Sequence, residues 1–245
     1  MDRVELGGQP AYKIVKTTGT TSKNAERPPL TVVLMHGYGA PGDDLVGLAG
    51  AIEAPAGTTF LFPEAPSLSA HEAELTLLDE ARAWWAIDVG RFQRAMMTGK
   101  LDDLVKDVPA GMAAARKSII SMLDALEAEA KTPRDRVVLG GFSQGSMLAL
   151  DVALRDARPL AGLAVLSGTL LAADEWLPKM NAQKGLRVFQ SHGTEDPILP
   201  YAVAQQLRQA LADAGLEVTF TSFVGGHGIS PEVMRDFNTW LRALS

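Results

Sequence analysis

Cysteine is absent from the 245-residue chain. Its absence excludes disulfides, thiolate zinc sites, iron–sulfur clusters and a cysteine nucleophile. No run of about 18 apolar residues occurs, so no membrane-spanning helix is predicted, and the first ten residues lack the apolar run of a secretory signal. Histidine is scarce, which leaves few candidates for a general base or an imidazole metal ligand: His36, His71, His192 and His227.

Charge of neither sign dominates the chain. Lys and Arg number 23 against 29 Asp and Glu, giving a net charge of −6. A mildly acidic surface argues against nucleic acid or an anionic membrane as a partner. Hydrophobic residues make up 47% and charged residues 21%, which is typical of a globular protein. We expect a cytoplasmic protein without stable membrane insertion; a homodimer is compatible with this composition but does not follow from it.

Short apolar runs alternate with amphipathic stretches along the chain. Strands separated by helices imply parallel βαβ units, which predicts an α/β fold: a doubly wound, mostly parallel sheet with helices on both faces. We expect one domain over residues 1–245, with an irregular insertion at about 67–107. Asp43 and Asp44 are expected to cap the first helix. The predicted strands cover 30–35, 58–62, 136–139, 160–166, 186–190 and 218–224, and the predicted helices 43–51, 112–126, 145–154, 201–214 and 231–244.

The most informative motif is GFSQG at residues 141–145. It lies between a predicted strand and a predicted helix, which is the context of a nucleophile elbow. Such a turn lifts the hydroxyl of Ser143 clear of the sheet, and the helix N-terminus behind it stabilises the negative charge that develops during attack. The sequence therefore predicts Ser143 as a nucleophile.

A serine becomes a good nucleophile only when a base takes its proton. In folds with this elbow the acid and then the histidine follow the serine along the chain. His227 follows the last predicted strand on a glycine-flanked loop, and we predict it as the base. Asp196, stiffened by the proline after it, is favoured over Glu195 as the acid. His192 is interpreted as a hydrogen-bonded structural residue in the turn that presents the acid.

Backbone N–H groups are expected to form an oxyanion hole. One donor should be the residue after the nucleophile, Gln144. The other should come from the loop HGYG at residues 36–39, where Tyr38 is the candidate because flanking glycines let its N–H turn inward. A serine hydrolase of this kind would need no metal and no organic cofactor.

Two alternatives stay open. GYGAPG at residues 37–42 follows a strand and satisfies the dinucleotide fingerprint, with Glu64 at about the right distance for a ribose contact. Asp43 and Asp44 would repel a pyrophosphate there, and Pro41 removes an N–H donor. A non-catalytic, ligand-binding descendant of a hydrolase is the second alternative, against which the intact set of candidate catalytic residues argues.

The insertion is rich in large apolar residues, including Trp84 and Trp85. Such residues are usually core, but this segment leaves the carboxyl end of a strand, where clefts of open α/β sheets lie. We therefore predict that Trp84 or Trp85 forms a wall of the substrate pocket, together with neighbours such as Phe92, Met96 and Met97. His71 is interpreted as a surface residue, since no second histidine follows at zinc-helix spacing.

Taken together, the motifs resemble the α/β-hydrolase superfamily and, within it, the phospholipase/carboxylesterase family that includes acyl-protein thioesterases. The resemblance rests on LMHGYG, AWWAID, LGGFSQGSMLAL, LSGTLL, SHGTEDPILP and GGHGIS, and spans about residues 30–244. It implies a triad of Ser143, Asp196 and His227 acting on small ester or thioester substrates. Ser146 departs from the second glycine of many members, and residues 91–107 match no familiar segment.

Overall fold

The computed structural model describes residues 1–19, 27–68, 80–87, 98, 104–156 and 158–245. Eight strands form one sheet in the order β1-β2-β4-β3-β5-β6-β7-β8, in which β3 to β8 run parallel and β1 and β2 are antiparallel additions at one edge. The strands are β1 (Asp2–Leu6), β2 (Gln9–Val15), β3 (Thr31–Met35), β4 (Thr59–Pro63), β5 (Val137–Phe142), β6 (Gly162–Leu166), β7 (Arg187–Gly193) and β8 (Glu217–Phe223).

Helices cover both faces of this sheet. Alternating residues of β3 show the division, since Val33 packs into the apolar cluster on one face and Val32 into the cluster on the other. The predicted α/β architecture is confirmed. The described helices are α1 (Leu48–Ala51), α2 (Met112–Ala128), α3 (Gln144–Asp156), α4 (Ala173–Met180), α5 (Tyr201–Asp213) and α6 (Pro231–Leu244). Helices α1 and α6 pack on one face, and α2 to α5 on the other.

The central strands are apolar because both of their faces are buried. All five residues of β3 and all five of β6 are buried. Since these strands are parallel, their carboxyl ends meet at one edge of the sheet. The chain segments that leave this edge begin at His36, Glu64, Ser143, Ser167, Thr194 and Val224, and they include every predicted catalytic residue.

The hairpin of β1 and β2 was not predicted. Its turn residues Gly7 and Gly8 have φ of 57° and 80°, the left-handed region that a tight hairpin turn requires. Two adjacent glycines between short runs are the signal that could have found it. The hairpin pairs with β4 and extends the sheet away from the site.

The start of the first helix was predicted wrongly. Asp43 and Asp44 lie in successive tight turns, in which the Asp44 N–H donates to Pro41 O and the Val46 N–H donates to Asp43 O. Regular helix begins only at Leu48, with no acidic residue in its first turn. Nearby glycines disfavour helix through this stretch, so neither aspartate caps it.

Two other elements also differ from prediction. Strand β7 extends to Gly193, because Ser191, His192 and Gly193 continue the parallel pairing with β8. Helix α4 was missed, since Pro178 inside it reads as a helix breaker. Among the described residues, no helix has the length and apolarity needed to cross a membrane.

Candidate active site

Ser143 sits at the apex of a sharp turn between β5 and α3. Its φ of 53° is in the left-handed region, which a non-glycine residue adopts only when its surroundings impose it. The Ser143 N–H donates to Leu166 O at 2.9 Å, so the turn stays tied to β6. The Ser146 hydroxyl donates to Ser143 O at 2.7 Å and ties the same residue to the helix. This is the geometry of the predicted nucleophile elbow.

The glycines around Ser143 leave no room for side chains. A Cβ at Gly141 would lie 2.5 Å from Met35 O, and one at Gly145 would lie 2.1 Å from the same oxygen. Both distances are far below van der Waals contact. The close approach of α3 to β3 therefore depends on these two positions lacking a Cβ.

Gly145→Ala should consequently lower the free energy of unfolding by about 1–3 kcal/mol or more, as overpacking does. Gly50→Ala is the matched control, because Gly50 lies on the exposed face of α1 with open space where its Cβ would be. Alanine there should be neutral or slightly stabilising. Thermal melting of both variants checks the expectation, and equal melting temperatures would contradict the close packing.

The candidate acid, Asp196, is buried and makes several polar contacts. Its Oδ1 accepts hydrogen bonds from the N–H groups of Ile198 at 2.8 Å and Leu199 at 2.9 Å. Its Oδ2 lies 2.7 Å from His227 Nδ1 and 3.2 Å from His192 Nε2. Burial alone would raise the pKa of Asp196, but the hydrogen bonds from His192, His227 and Leu199 outweigh it and hold that pKa well below its usual range. Asp196 is therefore an ionised acceptor at neutral pH.

Glu195, the alternative acid, is an exposed residue. Its backbone N–H donates to Gly225 O at 3.0 Å. The structure gives it no hydrogen bond to either nearby histidine among the described residues. The contrast with Asp196 favours the assignment predicted from the sequence.

His227 reaches the site on the loop between β8 and α6. Because a carboxylate only accepts, the contact with Asp196 places a hydrogen on Nδ1 and leaves Nε2 able to take a proton. The His227 ring packs against Phe142, the residue before the candidate nucleophile, with ring centroids 4.8 Å apart. The Ser167 hydroxyl donates to Gly228 O at 2.9 Å and ties the histidine loop to the end of β6.

The predicted oxyanion loop lies against the nucleophile turn. A Cβ at Gly37 would be 3.3 Å from Ser143 Cβ. His36 Nδ1 donates to Gly37 O at 2.8 Å, while His36 Nε2 accepts from the Ala65 N–H at 3.1 Å. Burial lowers the pKa of His36, in keeping with a neutral ring. Since a trans peptide points its C=O and N–H in opposite directions, this bond orients the Tyr38 N–H away from His36.

The Gln144 side chain makes contacts that the sequence did not predict. Its buried side chain accepts from the Trp84 N–H at 2.9 Å and donates to Trp85 O at 2.8 Å. The Trp84 indole N–H also donates to His36 O at 3.0 Å. The residue after the nucleophile therefore holds the tryptophan segment against the oxyanion loop. No local pattern signals such a contact, because it joins residues about 60 positions apart.

A cavity of about 450 Å³ opens beside these residues. Met147 and Leu199 join it to the site, since the Met147 N–H donates to Ser143 O and the Leu199 N–H to Asp196. Trp85 lines the cavity, whereas Trp84 is buried outside its lining. The other predicted pocket residues, Phe92, Met96 and Met97, and also His71, lie outside the described residues. The walls are mainly apolar and include Trp85, Val105, Met147, Leu170, Leu199 and Val203.

The dinucleotide alternative finds no support in this geometry. Its fingerprint requires a helix that opens at the last glycine, Gly42, but α1 begins only at Leu48. Glu64, the candidate ribose ligand, is buried and its carboxylate accepts from the Arg3 guanidinium at 2.7 Å. Asp43 and Asp44 cap no helix, so repulsion of a pyrophosphate at a helix N-terminus does not apply here. The missing helix start at Gly42 is what argues against dinucleotide binding.

Comparison with known sequences gives a match over nearly the whole chain. Residues 18–245 match the sequence profile of the phospholipase/carboxylesterase family. The acyl-protein thioesterase 1 of Neurospora crassa is 29% identical over 239 residues, covering 88% of this chain and 92% of that protein.

Solved structures give matches of similar extent. The crystal structure of esterase PE8 superposes with a TM-score of 0.73 and 22% identity, covering 99% of this chain and 100% of that one. The Bacillus cereus carboxylesterase superposes with a TM-score of 0.69 and 18% identity, covering 97% and 95%. At these identities the structural matches show the fold alone.

Proposed function

The chain belongs to the phospholipase/carboxylesterase family and is a hydrolase, and we propose that it cleaves carboxylic esters or thioesters through an acyl-enzyme on Ser143. The family confirms the resemblance predicted from the motifs. The observation that carries the proposed mechanism is the contact between His227 and Asp196 beside the strained Ser143 turn.

In the first half-reaction Ser143 Oγ attacks the acyl carbon while His227 Nε2 takes its proton. Asp196 holds the imidazole in the required tautomer and stabilises the imidazolium that forms. The backbone N–H groups of Tyr38 and Gln144 bind the oxyanion of the tetrahedral intermediate. Removal of one such donor in a serine hydrolase lowers kcat by about 10²–10³. His227 then protonates the leaving alcohol or thiol.

In the second half-reaction water hydrolyses the acyl-enzyme. His227 Nε2 takes a proton from the water, which attacks the acyl carbon, and returns it to Ser143 Oγ as the acid leaves. His227 is therefore the donor or the acceptor in every proton transfer of both half-reactions. We propose a cytoplasmic location for this reaction.

The apolar cavity is proposed to receive the acyl chain or an apolar leaving group. Its volume falls in the range of about 300–1,000 Å³ that ligand pockets occupy. Trp85 supplies a flat indole wall that excludes water and adds apolar contact. A panel of p-nitrophenyl esters of increasing chain length tests the function directly. We expect saturable hydrolysis with a kcat/KM that rises as the acyl chain lengthens. The absence of hydrolysis of any ester or thioester would overturn the proposal.

Trp85→Ala and Trp84→Ala should differ in how they change the hydrolysis of that ester series. Removing Trp85 opens the cavity wall, so the ratio of kcat/KM between long and short esters should change by roughly tenfold or more, since one methylene in such a pocket is worth about 1–3 kcal/mol. Trp84 lies outside the lining, so Trp84→Ala should mainly lower the melting temperature. An unchanged chain-length profile in both variants would place the substrate pocket elsewhere.

A further inference from the structure

We propose that His192 is a positioning residue for the reaction, which holds the carboxylate of Asp196 in the orientation that His227 requires. The inference rests on the proposed function, because Asp196 matters only if it serves a catalytic histidine. It assigns to His192 more than the structural role predicted from the sequence.

The backbone places His192 where it can act on the acid. His192 is the sixth residue of β7 and is paired in register with Ser222 of β8, so its position is set by the sheet rather than by a loop. Four residues later the chain has turned and brought Asp196 back over it. His192 is fully buried and Asp196 nearly so, which keeps water from competing for their contacts.

The hydrogen bonds define the state of the His192 ring. Nε2 lies 2.8 Å from Leu199 O, and a carbonyl only accepts, so Nε2 carries a hydrogen. Asp196 Oδ2 lies 3.2 Å from the same Nε2 and is therefore the longer of the two contacts that this nitrogen makes. His192 Nδ1 is buried without a hydrogen-bond partner among the described residues, so the polar contacts of the ring are those of Nε2.

These contacts close a small ring around the acid. Leu199 donates its N–H to Asp196 Oδ1 and receives the His192 hydrogen on its carbonyl. Asp196 Oδ2 is held between His192 on one side and His227 on the other. The carboxylate is therefore clamped through both oxygens, and rotation about its side-chain torsions would break at least two contacts. This clamp acts on His227 only through Asp196.

A matched set of substitutions tests the clamp. The Gln side chain carries its amide nitrogen at about the reach of His Nε2, the Asn side chain stops at about the reach of Nδ1, and Leu fills the volume without a donor. We expect His192→Leu and His192→Asn to lower kcat by about tenfold to a hundredfold with little change in KM, the scale that misplacement of catalytic groups produces. The kcat of His192→Gln should stay within about threefold of the wild-type kcat.

A double-mutant cycle separates positioning from a general structural role. In an Asp196→Ala background no carboxylate remains to be oriented, so adding His192→Leu should cost less than about threefold in kcat. An equal loss in both backgrounds would overturn the proposal, as would a His192→Gln variant as slow as His192→Asn. If His192→Leu fails to fold, the Gln and Asn pair decides alone. Failure of the proposed function shows separately, as a wild-type chain without esterase activity.

Discussion

Ser143→Ala is expected to lower kcat for ester hydrolysis by on the order of a millionfold, as removal of a triad nucleophile does. The reason is chemical: without Oγ no acyl-enzyme forms, and the remaining oxyanion donors act only on direct attack by water. The fold should survive, because the Ser143 N–H and C=O, which tie the turn to β6 and α3, belong to the backbone. Steady-state kinetics with a p-nitrophenyl ester measure the loss.

Two further variants make the result specific. Ser143→Gly also removes Oγ but relieves the strain of a φ of 53°, so it should be equally inactive and melt at a higher temperature than Ser143→Ala. Ser121→Ala, in α2 away from the carboxyl edge of the sheet, should keep wild-type activity. Activity of either Ser143 variant near the wild-type level would refute the nucleophile assignment.

Asp196→Asn should lower kcat by about ten-thousandfold, the loss found when a triad acid becomes an amide and the histidine tautomer is wrong. An Asn in place of Asp196 can present its N–H₂ to His227 Nδ1, which then accepts and carries its hydrogen on Nε2. Such a ring cannot take the Ser143 proton. The bonds from Ile198 and Leu199 to the other side-chain oxygen can persist, so the loop should keep its shape.

Glu195→Gln is the matched control for the acid. It makes the same chemical change one residue earlier, at an exposed side chain. Activity within about twofold of wild type is expected, since surface substitutions of this kind are usually within ±0.5 kcal/mol. A larger loss for Glu195→Gln than for Asp196→Asn would show that the acid is misassigned.

Strongly apolar strands made much of the fold predictable. Residues such as those of β3 are buried on both faces, so a continuous apolar run with β-branched residues indicates a central parallel strand. Strand β1 was missed because only one face touches the protein, and its residues are partly or fully exposed. No element was predicted for the stretch that forms helix α4, where Pro178 obscures the helical pattern even though Trp176 is fully buried and its indole N–H donates to Asp151.

The candidate site was predictable where chemistry depends on local pattern. GFSQG needs its glycines for the close approach to Met35 O, so the motif itself carries the geometry of Ser143. The side-chain contacts of Gln144 with the tryptophan segment were not predictable, since they join distant parts of the chain. His192 was predicted in the turn that presents Asp196, but it lies on β7, which continues three residues beyond the predicted end of that strand.

Covalent labelling tests the central claim, that Ser143 is the nucleophile of a serine hydrolase, most directly. A fluorophosphonate reacts with a serine that a neighbouring base activates and leaves a stable phosphonyl adduct, which peptide mass spectrometry locates. We predict one adduct per chain, on the peptide that contains Ser143, formed in parallel with the loss of esterase activity and absent from Ser143→Ala. Esterase activity that survives complete labelling of Ser143, or an inactivating adduct on another residue, would contradict the account.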